Sequence, residues 1–208
     1  MIWLYVLLII FCIALLHFWI PYRLPVAILD SESINTFTFK DGDIILYRHP
    51  SQWQCHLTWW FHTGLILTLG CKIYIAHYGG RRNKYSIKVA QISLKRYMQG
   101  GGIIAVRRII PSTTKLAWLK SDAEKKAFLH DYAFRPFNSD YILTYILSRL
   151  GLQEEKVERI ACSAFVGFCL RKCGVPIQNV NVLSPGNLSS SFSSKWDKYL
   201  TREIYLTL

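Results

Sequence analysis

Two histidines and one cysteine have the type and spacing to do chemistry together. His62 opens the run HTGLILTL and His77 closes the run KIYIAH, with Gly70-Cys71 between them. Both runs are short, rich in Ile, Leu and Tyr, and bounded by glycine, which predicts two antiparallel strands joined by a tight turn. Such a pairing sets the outer ends of the strands side by side, so the two imidazoles could face each other. Cys162 lies in RIACSAFVGFCLRKCG, at the start of a helix predicted over 162–173 and stopped by Gly174 and Pro176. A thiol there meets the positive end of the helix dipole and unpaired backbone N–H groups, so its pKa is expected to fall. Cysteine as nucleophile, His62 as general base and then acid, and His77 orienting His62 would make a thiol catalytic site. Each residue type also has an ordinary use: a small cysteine fills an apolar helix face, and a strand histidine can be satisfied in a core.

The surrounding elements must position these groups. Residues 43–47, 65–69, 72–77, 85–92 and 103–110 read as strands, with Gly100-Gly101-Gly102 separating the last two. Beyond Pro111 the period becomes helical: 114–134, then 139–150 with Asn138 or Ser139 as N-cap and Gly151 past its end, then 162–173. The tail over 175–208 reads mostly as loop, with a last strand or helix. Strands followed by helices predict an α+β fold. Half the 208 residues are apolar and 18% are charged, which excludes a disordered chain or a coiled coil. No internal repeat of solenoid length is present.

The ordered set GDIILYR, HTGLIL, IYIAHY and ACSAFVGF resembles the permuted papain-like fold of the NlpC-type superfamily, in particular its YaeF/YiiX branch with poxvirus relatives. The lecithin:retinol acyltransferase group is a more distant cousin. FRPFNSDY and SPGNLSSSF are also similar to that branch's segments flanking the cysteine helix, so the likeness covers about 41–192. It implies a circularly permuted papain-like domain over 41–208, a small antiparallel β-barrel or sheet packed on helices. It implies the roles of Gly42-Asp43, His62, His77 and Cys162, no cofactor, and cleavage of an amide or ester bond in a peptide, isopeptide or lipid. Many relatives carry Glu where this chain has His77. A neutral imidazole can still accept the N–H of His62 and hold its tautomer, but it stabilises the imidazolium less.

Residues 1–20 contain no Asp, Glu, Lys or Arg and, at about 1.5 Å per residue, make about 30 Å of helix, the thickness of a hydrocarbon core. No base precedes the run and WIPYR follows it, which favours a retained transmembrane anchor over 1–22 and not a cleaved signal peptide. Trp3, Tyr5, Trp19 and Tyr22 lie near its ends. Residues 23–40 then read as a juxtamembrane linker. Arg23 and Lys40 follow the span, so the domain is expected on the cytosolic side of a single-pass membrane protein. The five cysteines beyond the span form no disulfide-like framework and agree with a reducing compartment. The triplet Asn187-Leu188-Ser189 could carry a glycan only in a lumenal domain.

The net charge is +12, and its distribution is uneven. No acidic residue lies between Asp43 and Asp122, whereas twelve Lys and Arg do. Near a bilayer each such base is worth roughly 1 kcal/mol against anionic headgroups, so a basic face turned to the membrane is expected. Away from a membrane it is a solvated surface. Nucleic acid is not the expected partner, since no RNP, zinc-finger or helix-turn-helix signature accompanies the charge. Trp53, Trp59 and Trp60 could wall a pocket mouth, pack on the barrel or dip into the bilayer. Cys169 and Cys173 share a helix face with Cys162, but no pair has structural-zinc spacing, and no metal is expected. The rival functional class is a non-catalytic membrane-bound binding module of the same fold.

Overall fold

In the computed structural model the described residues are Tyr5, Leu8, 31–52, 60–78, 85–111, 115–133, 135, 160–180, 183–190 and 194–208. The expected anchor over 1–22 (apart from Tyr5 and Leu8), the helix expected over 139–150, and Trp53 and Trp59 lie outside them. Among the described residues no helix is long and apolar enough to cross a membrane.

The chain is α+β. Among the described residues seven strands make one mixed sheet: β1 (Ser31–Ser33), β2 (Ile44–Arg48), β3 (His62–Leu69), β4 (Lys72–Tyr78), β5 (Tyr85–Val89), β6 (Ile103–Arg107) and β7 (Ile204–Thr207), in the order β1-β7-β6-β2-β3-β4-β5. Only β1 and β7 run parallel; every other pair is antiparallel. The α-helices among the described residues are α1 (Ala90–Gln99), α2 (Asp122–Ala133) and α3 (Cys162–Lys172).

Strand alternation sorts the core into two layers. Ile44, Leu46, Leu65, Leu67, Ala76 and Tyr78 face α3, whose Cys162, Phe165, Val166 and Cys169 are buried against them. Ile45, Tyr47, Ile66, Ile75, Ile104 and Val106 face α1 through Ala90, Leu94 and Met98. These α1 residues are four apart and form one helical stripe. Strand β2 is buried on both faces and is the centre of the sheet.

Three expectations shift. The run over 85–92 is strand only to Val89, because three buried residues at helical spacing turn the chain into α1 without a loop. The single helix expected over 114–134 is a 3-10 turn, Ala117–Lys120, and then α2, with Ser121 extended between them. Part of the expected linker is sheet: β1 pairs with β7, and Ile34, Phe37 and Phe39 are buried in the α1 layer.

Buried charge ties these pieces together. Arg107 is fully buried and donates to Thr201 O, Leu188 O and Asp197 Oδ1, each at 2.7 Å, and to Leu200 O at 3.3 Å. Lys125 reaches Thr68 O, Asp41 Oδ2 at 3.2 Å and Asp122 Oδ1 at 3.0 Å, pinning α2 to the β3–β4 hairpin. The triplet at 187–189 is committed to structure. Asn187 closes a capping box with Ser184, Leu188 is buried, and the Ser189 hydroxyl donates to Glu203.

Candidate active site

The β3–β4 hairpin brings the histidines together. Gly70, with φ +60°, lets a two-residue turn join Leu69 to Lys72. The resulting ladder runs from Leu69↔Lys72 to Leu65↔Ala76 and then ends. In that register His77 falls opposite Gly64, and His62 lies diagonally from it on the same face. A Cβ at Gly64 would come within 3.1 Å of Ile75 Cδ1 and 3.2 Å of Ala76 O, so glycine keeps the strands close where the imidazoles meet. His62 Nε2 lies 3.0 Å from His77 Nδ1, and the rings stand nearly perpendicular, 85° apart.

One proton occupies that contact. If His62 Nε2–H donates to His77 Nδ1, then His62 Nδ1 is an acceptor, the tautomer a base needs. Tyr47, directly opposite His62 in the sheet, sets its ring 5.3 Å away and packs the imidazole from the β2 side. Both imidazoles are only partly exposed. Burial, then His77, then Lys88 hold His62 well below its ordinary pKa, and burial with Lys88 lowers His77 to about 4. Lys88 reaches them because β5 sets it opposite Ile75, on the same face and two residues from His77.

Cys162 is the first residue of α3 and is 5% exposed. Its N-cap, Ala161, offers no side-chain acceptor. The thiol takes that place: the N–H groups of Thr63, Ser163 and Cys162 itself all favour its thiolate form. Thr63 follows His62 and stands beyond the last β3–β4 ladder pair. The sulfur and the imidazoles approach this open seam from opposite faces: Cys162 belongs to the layer of Leu65 and Ala76, and the imidazoles to the side of Tyr47 and Ile75. Among the described residues no hydrogen bond joins Sγ to either ring.

The expected fall in the thiol pKa is not found. Burial outweighs the three N–H groups and pushes Cys162 up to about 11. At rest the thiol and both imidazoles are therefore neutral at neutral pH. Cys169 and Cys173 are buried further along α3, on its core-facing side. Among the described residues no group of three His, Cys, Asp or Glu could hold a metal ion.

Gly42-Asp43 serves the sheet. Asp43 binds Arg108 through Nε at 2.8 Å and Nη2 at 2.9 Å and accepts Lys40 N–H at 2.8 Å. Burial raises its pKa against those partners. Trp60 is fully buried 6.0 Å from the Tyr205 ring, as a packing residue and not a pocket wall.

Thr63, Tyr47 and Lys88 escaped the sequence reading. Thr63 acts through its main chain, which leaves no side-chain signal. Tyr47 and Lys88 become visible only once the strand registers are fixed. Neither a protein-family model nor a curated protein matches this chain, so the resemblance to the papain-like superfamily rests on the residues themselves.

Proposed function

We propose that the chain is a thiol hydrolase or acyltransferase of circularly permuted papain-like fold, tethered to a membrane by residues 1–22 with its domain on the cytosolic side. The observation that carries this reading is the His62 Nε2–His77 Nδ1 contact at 3.0 Å, one residue from Thr63, whose backbone N–H favours the thiolate form of Cys162. Chain order His62, His77, Cys162 is the reverse of papain's cysteine-before-histidine, and a catalytic set is defined by geometry and not by order.

In the reaction Cys162 Sγ attacks a carbonyl carbon and gives its proton to His62, which requires the two groups, on opposite faces of the seam at rest, to come into contact. The N–H groups at the start of α3 face the oxyanion that forms. The C–N or C–O bond then breaks, and the leaving group takes the proton back from His62. Water or an acceptor hydroxyl or amine resolves the thioester, freeing the thiol. His77 holds the tautomer and shares the charge on His62 during transfer.

A substrate-like acyl probe tests this. Stoichiometric labelling of Cys162, cut by about 10²–10⁴-fold in His62→Ala and less in His77→Gln than in His77→Ala, supports the enzyme. Labelling no faster than at Cys169 or Cys173 favours the second reading, a binding module without turnover. The burial of the Cys162 thiol is the observation on that side.

A further inference from the structure

The corner where β5 becomes α1 combines exposed aliphatic side chains with positive charge. Ile87 is 40% exposed, Val89 42% and Ile92 70%. Ile87 and Val89 lie on one face of β5, an edge strand of the sheet. Val89 is the N-cap of α1 and Ile92 its third residue, positions that stand side by side at a helix start. From Ile92 the outward face of α1 continues through Lys95 and Arg96, three and four residues on. Lys88, between Ile87 and Val89 in sequence, is exposed on the other face of the edge strand, the one that carries the imidazoles. Neither β5 nor α1 contains a carboxylate, and the chain has none between Asp43 and Asp122.

A protein partner would need acidic groups and a fitted apolar surface. An anionic bilayer supplies negative charge and hydrocarbon together, and aliphatic groups rimmed by bases suit it. The twenty uncharged residues at the start of the sequence bring such a surface within reach.

We propose that the β5–α1 corner docks on an anionic lipid surface, with Ile87, Val89 and Ile92 entering the interface and Lys88, Lys95 and Arg96 meeting the headgroups. This rests on the membrane-tethered reading above and adds an orientation to it. Lys88 borders the imidazoles on their own face, so docking sets the β3–β4 seam beside the bilayer. Substrates would then be acyl or amide groups carried at the membrane surface.

Hydrogen exchange of the full chain in vesicles tests the proposal, comparing phosphatidylcholine alone with phosphatidylcholine containing phosphatidylserine. Amides over 85–99 should exchange about tenfold more slowly in the anionic vesicles while β2 and β6 are unchanged. Ile92→Glu, and separately Lys88→Glu with Lys95→Glu and Arg96→Glu, should abolish that difference. Equal exchange in both vesicles, with the protein still bound, overturns the docking and leaves the anchor standing. Release from the neutral vesicles overturns the anchor, and the same comparison then reads docking alone. Protection that grows with protein concentration and ignores lipid charge marks a second copy on this face and overturns the proposal.

Discussion

The protonation state of Cys162 gives the sharpest test of the site. Its pKa is pushed from an ordinary 9.0 to about 11, so at neutral pH it carries about 100-fold less thiolate than an unperturbed cysteine. A more basic thiolate is also more nucleophilic. A Brønsted slope near 0.45 returns roughly eightfold, leaving a net rate about tenfold below a free thiol before steric shielding. The assay is iodoacetamide alkylation followed by peptide mass spectrometry between pH 5 and 10, with exposed Cys71 as an internal reference. The rate at Cys162 should rise about tenfold per pH unit up to the end of the range and stay below that of Cys71 at pH 7. A plateau extending below pH 7, at a rate above Cys71, would mean a preformed thiolate–imidazolium pair. The neutral resting state would then be refuted, and with it the proton transfer drawn for the attack.

Other consequences are testable on the folded protein. Folded His77 titrates near 4 while an unfolded imidazole titrates near 6.5, so between these values the unfolded state binds more protons. Thermal stability should therefore fall as pH drops from 6.5 to 4, and His77→Asn should flatten that slope in a melting series. Arg107→Met should cost about 3–5 kcal/mol by urea denaturation, because three main-chain carbonyls lose their donor in a buried site. Gly42 has φ +86°, and a Cβ there would come 2.9 Å from Ile109 Cδ1 and 3.0 Å from Leu119 Cδ1. Gly42→Ala should cost about 1–3 kcal/mol in the same assay.

Local signals made much of this readable. Gly70 between two alternating apolar runs marked the β3–β4 hairpin, and Gly174 with Pro176 marked the end of α3. Those two elements carry His62, His77 and Cys162. Long-range facts were hidden. Val89 to Ile92 is as β-prone as the residues before it, and only the inward stripe of Ala90, Leu94 and Met98 makes it helical. The thiol pKa was misjudged because the helix terminus is visible in sequence, whereas the depth of its burial depends on how α3 lies on β3 and β4. The place of Ser31–Ser33 depends on a partner more than 170 residues away.

In the sheet, β7 lies between β1 and β6, so it joins the two from about 100 residues beyond β6 in the chain. Until β7 docks, β6 offers a bare hydrogen-bonding edge and β1 has nothing to pair with. Any change that unpairs β7 would therefore leave an open, aggregation-prone sheet.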